Sequence, residues 1–282
     1  MSAAEPSTTG PAGPDVPPGA AAQDPFAGAG YRSLIDWDAR FRREDPFFGQ
    51  VLGSLPEKSL ADLGCGTGDH ARYFAAKGFR VAGLDSSASM LADARKEPVP
   101  RNLRFVQGDL READGALGER FGAALILGNT VAFLLDGADL QRAFAAVFRL
   151  LLPGGRLLFQ MLNYGRFYER KERQLPLTVN DTAEGTVVFL RLMDLREGGR
   201  VLFFPTTLLW RPDDPERPLE IIRARRVELR AWGPGDLQKA LEAAGLRDVE
   251  LFGSMEGKPF EPLESQDLVV LARKPLDTML SP

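Results

Sequence analysis

Cysteine and histidine are nearly missing from this sequence: among 282 residues there is one of each, Cys65 and His70. One thiol cannot form an intramolecular disulfide. The pair cannot supply the clustered ligands of a structural zinc site, so no metal is expected. Long apolar runs are missing too: no stretch approaches the roughly 20 residues that span a bilayer. The first residues do not join a basic segment to an apolar run in the manner of a secretory signal. Nor is positive charge in excess. Lys and Arg number 35 against 39 Asp and Glu, a net −4, which gives no general attraction to nucleic acid or anionic membranes. The expectation is a soluble, cytoplasmic protein with neither nucleic acid nor membrane among its partners.

What is present is an ordinary globular balance, 44% hydrophobic and 26% charged, enough to bury a sizeable core. Residues 1–30 are the exception. Rich in Ala, Pro and Gly, they cannot bury enough surface to offset ordering entropy, and disorder is expected. From Tyr31 the spacing of Leu34, Trp37 and Phe41 predicts a helix. Asp45-Pro46 marks a break before a second short helix through Phe47, Phe48 and Leu52. From Ser59 short apolar runs alternate with amphipathic ones. The runs SLADLG, RVAGLD, LRFVQGD, AALILG and GRLLFQML read as strands, the last following a Pro153-Gly154-Gly155 turn. Helices are expected over residues 69–77, 88–96 and 140–152. Apolar strands separated by helices indicate a parallel sheet covered on both faces. After Asn163 the rhythm changes. TVVFLRLMDL, VLFFPTTLLW and LEIIRARRVELRA are longer and partly alternating, and read as an antiparallel β insertion. A helical pattern returns through GPGDLQKALEAAGL, and RDVELFG and DLVVLARK close the sheet. The core is thus expected over 31–164 and 231–275, with the insertion over 165–230.

Three signals carry chemistry. The first is Asp62-Leu63-Gly64-Cys65-Gly66-Thr67-Gly68, between a strand and a helix. Its glycines permit close backbone approach, so a ligand can lie against main-chain N–H groups at a helix N-terminus. The spacing is G-x-G-x-G rather than the dinucleotide G-x-G-x-x-G. With Asp69 at the loop exit, it suits a cationic or zwitterionic head better than a pyrophosphate. The second is Asp85, placed where ribose hydroxyls are held in such folds; Ser87 beside it reads as a helix cap. The third is Gly108-Asp109-Leu110, where an acidic side chain can accept from an adenine amino group. The three occur in order on consecutive strands.

On these residues the chain resembles the class I S-adenosylmethionine-dependent methyltransferases, over roughly Tyr31 to Lys274. The resemblance implies a seven-stranded, mostly parallel Rossmann-like α/β sheet with helices on both faces and an antiparallel last strand. It implies that Gly64, Gly66 and Gly68, with Asp62 and Cys65 in the same loop, contact the methionine moiety of S-adenosylmethionine. Asp85 would hold the ribose, Ser86 and Met90 would flank ribose and adenine, and Gly108, Asp109 and Leu110 would lie at the adenine. The stretch Leu127-Gly128-Asn129-Thr130 is not the Asn/Asp-Pro-Pro-aromatic motif of enzymes that methylate DNA bases or protein glutamine. It looks like the small-molecule N-methyltransferases, such as those acting on glycine, and the pair Asn163-Tyr164 is also similar to that group. The resemblance therefore adds Gly128 and Asn129 to the cofactor site, and Asn163 and Tyr164 as catalytic residues orienting an acceptor's lone pair. It also adds Tyr31 to the methyl pocket and Arg40 as partner of the methionine carboxylate. The insertion would serve as a lid or a homodimer contact. One departure is the pair Ala123 and Ala124 where strand four of the group often has an acidic residue. Methyl transfer to a nitrogen of a small molecule is the expected function. O- or C-methylation and non-catalytic cofactor binding are the alternatives.

Overall fold

A computed structural model describes residues 35–276. The expectations for the 1–30 tail and for Tyr31 lie outside the described residues. The first element, α1 (Trp37–Leu52), opens at Asp36, whose carboxylate accepts from the Ala39 N–H at 2.9 Å. It runs unbroken through Pro46, which corrects the expected break at Asp45-Pro46. A proline inside a helix removes one hydrogen bond and crowds the preceding turn. Here Pro46 faces solvent while Phe47, Phe48, Val51 and Leu52 are buried, and that packing outweighs the local preference.

Then the α/β alternation begins: β1 (Ser59–Leu63), α2 (Asp69–Ala76), β2 (Arg80–Asp85), α3 (Ala88–Ala94), β3 (Leu103–Gln107), α4 (Ala113–Leu117), β4 (Phe121–Ile126), α5 (Gly137–Leu150) and β5 (Leu151–Leu162). The short helix α4 was not legible in the sequence. Strands β1 and β4 are buried along their whole length, as a sheet covered on both faces requires. The α5 helix buries Leu140, Ala143, Phe144, Val147 and Leu150, the stripe expected of a helix lying on a sheet. The Pro153-Gly154-Gly155 segment lies inside β5 rather than before it. Gly154, at φ 75°, donates its N–H to the Lys274 carbonyl at 3.0 Å, which keeps the segment in the sheet.

After α6 (Tyr164–Arg170) come five strands: β6 (Thr178–Thr182), β7 (Gly185–Leu195), β8 (Arg200–Trp210), β9 (Leu219–Ala224) and β10 (Val227–Arg230). The run LEIIRARRVELRA is therefore two strands, interrupted at Arg225-Arg226. Helix α7 (Pro234–Ala243) and strands β11 (Arg247–Phe252) and β12 (Asp267–Arg273) complete the described chain. The main sheet has seven strands in the order β11-β12-β5-β4-β1-β2-β3, with β12 antiparallel to both neighbours. The fold is the seven-stranded, mostly parallel α/β sheet expected from the sequence. The second sheet is antiparallel and has five strands, β10-β8-β7-β6 with β9 paired to β8. Two features of the main sheet place the site. The loops after β1, β2, β3 and β4 all leave its carboxyl edge, where open α/β sheets bind ligands. The start of β12, at Asp267, pairs with Leu162 at that same edge.

Candidate active site

A cavity of about 650 Å³ lies at the carboxyl edge. It gathers Asp62, Gly64, Cys65, Gly66, Asp85, Ser86, Met90, Gly108, Asp109, Leu110 and Gly128, with Arg40 from α1. Gly68 is not in its wall. It sits in the left-handed region at φ 77° against the Phe105 ring, where an added Cβ would fall 2.5 Å from Cζ. Gly68 therefore lets α2 start close to β3. At Gly66 an added Cβ would meet only open space.

Asp85 organises the loop. Its Oδ2 accepts from the Gly66 N–H at 2.8 Å and its Oδ1 from the Ser87 N–H at 2.8 Å. Ser87 in turn caps α3, its hydroxyl accepting from the Met90 N–H at 3.0 Å. Asp109 is held by Arg111 through paired side-chain bonds, and that partner keeps its carboxyl below the usual range. Arg111 also donates to Asp139 at 2.7 Å.

Asp62, at the end of β1, is buried. Its carboxyl accepts from the Ala71 backbone, but Oδ2 has no hydrogen-bond partner among the described residues. Burial, with the nearby Asp85 charge, pushes it up to about 7. Burial pushes the Cys65 thiol up as well, so it is no nucleophile at neutral pH.

The wall next to α1 is a buried ion cluster. Arg40 Nε donates to Glu44 Oε1 at 2.8 Å, and His70 Nε2 lies 3.1 Å from Glu44 Oε2. Burial pushes the Glu44 carboxyl up, but the His70 bond and the Arg40 charge outweigh it and hold it below its ordinary value. His70 sits among the Trp37, Phe41 and Phe48 rings, and desolvation lowers its pKa. It is a packed neutral histidine that fixes Glu44, which in turn fixes Arg40.

A second cavity, about 1120 Å³, lies between the main sheet and the antiparallel one. It shares Arg40, Gly128 and Phe133 with the first, so the two meet there. A chain of polar groups crosses this junction. The Gly128 N–H donates to Gln160 Oε1 at 3.0 Å, and Gln160 Nε2 donates to Asp267 Oδ1 at 2.8 Å. Burial raises the Asp267 pKa, against the Gln160 bond and the Arg40 charge. Sequence reasoning missed Glu44, Gln160 and Asp267. The only signal for Asp267 was one acid at the mouth of the otherwise apolar DLVVLAR.

The structure corrects the placement of the two residues expected to be catalytic. Neither Asn163 nor Tyr164 lines either cavity. Tyr164 is 1% exposed, and its hydroxyl accepts from Asn129 Nδ2 at 2.8 Å. Burial drives its pKa upward. Asn163 donates to the Pro262 and Ser265 carbonyls at 2.9 Å each, tying down the segment that leads to Asp267. The reason is local: both follow directly on β5, where α6 turns them into the core. Asn129, expected at the cofactor, faces the larger cavity instead, with φ 75° and Oδ1 accepting from Leu162 N–H at 3.1 Å.

Comparison with known proteins fits this geometry. A methyltransferase-domain family matches residues 60–155. A glycine/sarcosine N-methyltransferase of Parasynechococcus marenigrum is 34% identical over 138 residues, 48% of this chain and 49% of the relative. The dTDP-3-amino-3,4,6-trideoxy-alpha-D-glucopyranose N,N-dimethyltransferase of Streptomyces venezuelae is 38% identical over 106 residues, 37% of this chain and 43% of that one. The solved structure of S-adenosylmethionine-bound CalS10, an amino pentose methyltransferase from Micromonospora echinaspora, superposes with a TM-score of 0.66. Its identity is 26%, covering 87% of this chain and 95% of the other. The chain spans about half the length of the curated relatives first named. The fold and the strand-end cavity are of the class I methyltransferase type. Residues 60–155 carry a methyltransferase domain, and the chain is similar in fold to the S-adenosylmethionine-dependent methyltransferases of that class.

The site fits this cofactor. The orphaned, buried Asp62 oxygen in the cavity wall asks for a cationic donor, which a methionine ammonium provides. The open space over Gly66 admits a ligand against backbone.

Proposed function

We propose that this protein transfers a methyl group from S-adenosylmethionine to an amine nitrogen of a small molecule held in the larger cavity. The observation that carries the reading is the junction: the cofactor cavity opens at Gly128 onto the hydrogen-bonded pair Gln160–Asp267. When bound, the cofactor supplies a methyl on a sulfonium, whose leaving thioether is neutral. Asp62 and Arg40 would hold the ammonium and carboxylate of the methionine end, Asp85 the ribose, and the Gly108–Leu110 segment with Met90 the adenine. Asp267 would take the proton that an ammonium acceptor must lose before its lone pair can react, and Gln160 would orient that carboxylate. The buried floor excludes water and fixes the approach. Two relatives named above act on amines, which supports nitrogen as the acceptor atom. The test is turnover with an amine panel. Product methylated at nitrogen, with kcat lowered at least 100-fold in Asp267→Asn, is the expected result. Product methylated only at oxygen or carbon would overturn the reading.

We also propose that the assembly is a homodimer joined through the outer face of the antiparallel sheet. Strand alternation puts Phe189, Arg191, Phe203 and Pro205 on the cavity side, so Leu190, Leu192, Phe204 and Trp210 point outward. Leu192, Trp210, Leu219 and Ile221 are exposed there. Strands of eleven residues in a sheet about four strands wide offer roughly 700 Å². That is close to the ~800 Å² per partner of a stable interface. A dimer in sedimentation velocity that becomes monomeric in Ile221→Lys is expected; a monomeric parent protein would refute it.

A further inference from the structure

The larger cavity has room for an acceptor well beyond amino-acid size. At about 1120 Å³ it exceeds the 300–1,000 Å³ that suffices for drug-sized ligands. Its wall on the antiparallel sheet also has a distinct chemistry. The register aligns Arg191 with Pro205, and the Arg225 N–H donates to the Pro205 carbonyl at 3.2 Å, so Arg191 and Arg225 flank one row. In the next row Phe189 and Arg223 flank Thr207. Three arginines, one from β7 and two from the end of β9 and the turn after it, thus line one face, with the Phe189 and Phe203 rings beside them. Arg225 Nε is buried and has no hydrogen-bond partner among the described residues. A buried guanidinium donor without an acceptor is costly unless a ligand supplies one, and guanidinium forks match carboxylate and phosphate.

Arg191 donates to the Pro176 carbonyl at 2.7 Å at the edge of this face, and most acidic groups of the cavity are held by basic neighbours. Glu256 lies 2.7 Å from Lys258 and 3.8 Å from Arg43, Glu264 pairs with Arg170 at 2.5 Å, and Glu44 is held by Arg40 and His70. The cavity is therefore polarised, with Asp267 at the cofactor end and arginines on the opposite sheet.

Resting on the methyl-transfer reading, we propose that the acceptor is an amine larger than an amino acid, carrying an acidic group, carboxylate or phosphate, that docks on Arg191, Arg223 and Arg225 while its amine meets Asp267. The arginine wall fixes the acceptor and the Asp267 end performs the proton transfer.

The experiment uses the full chain saturated with S-adenosylhomocysteine, titrated by calorimetry with inorganic pyrophosphate and, separately, with succinate. Saturable binding of either is expected, at least tenfold weaker in Arg225→Gln and in Arg223→Gln but kept in Asp267→Asn. The anion that binds more tightly identifies the acidic group. Titration with S-adenosylhomocysteine alone reports on the cofactor site and shows that each variant is folded. Failure there would strike the cofactor assignment, not the arginine wall. No binding of either anion, or equal binding in the arginine variants, would overturn the proposal.

Discussion

The two cavities that meet at Arg40, Gly128 and Phe133 are built in opposite ways. The cofactor cavity is made largely from short loops that each follow a strand of one parallel sheet. Its key side chains are set by neighbours within a few residues or by the next strand, as when Asp85 holds Gly66 and Ser87. The acceptor cavity is assembled from two sheets, and its walls come from α1, β7, β8, the β9–β10 turn and the start of β12. The first is specified by local order; the second exists only once distant strands pair. Substitutions should therefore divide cleanly between cofactor affinity and turnover.

The sharpest way to break the comparison is Asp267→Asn. It should lower kcat about 100- to 10,000-fold, the usual range for a lost general base, with the cofactor Kd unchanged in calorimetry. Because burial raises the Asp267 pKa, its carboxylate is lost as pH falls. The acidic limb of the rate profile should thus lie above the ordinary carboxylate range and vanish in the variant. Next in size is Asp85→Ala, which removes the acceptor of two backbone N–H groups and, with it, the proposed ribose contact. A loss of cofactor affinity of about 100-fold is expected, at about 1.4 kcal/mol per tenfold, with kcat at saturation changed little.

Asp62 sharpens the comparison through pH. Its carboxyl is pushed up to about 7 in the folded chain from the ordinary 3.8. Between these values the folded state keeps a proton that the unfolded state has lost, so stability falls as pH rises through that window and levels off above it. Cofactor affinity should run the other way. On the proposed pairing of the ionised form with the ammonium, affinity should weaken by up to about tenfold per pH unit below about 7. Asp62→Asn should abolish both dependences. The smallest effect belongs to Tyr164→Phe. Loss of the Asn129 partner inside the core should cost about 1–2 kcal/mol of stability in chemical denaturation, with kcat changed no more than a few-fold.

The same contrast explains what the sequence revealed. The glycine loop, Asp85 and Gly108-Asp109 were legible because strand, turn and helix N-terminus lie within seven or eight residues, so spacing alone places them at one edge. The parallel sheet followed from apolar strands alternating with helices, and its seven strands from the family resemblance. Asn163 and Tyr164 are expected at the site from their likeness to the Asn-Tyr pair of the small-molecule N-methyltransferases, but α6 begins there and turns both inward. Pro46 reads as a breaker until the burial of Phe47 and Phe48 is known. Asp267, Gln160 and the arginines of the second sheet carry no local pattern. Asp267 opens a strand that pairs with one more than a hundred residues earlier, and Arg225 is set at the cavity by the pairing of β9 with β8 and its backbone bond to Pro205.

The most direct test of this division is calorimetric titration of S-adenosylmethionine, at pH 8, into the wild-type chain, Asp62→Asn and Asp267→Asn. The wild type and Asp267→Asn should bind with the same Kd, and Asp62→Asn at least tenfold more weakly. Unweakened binding by Asp62→Asn, or equal weakening in both variants, would contradict the account.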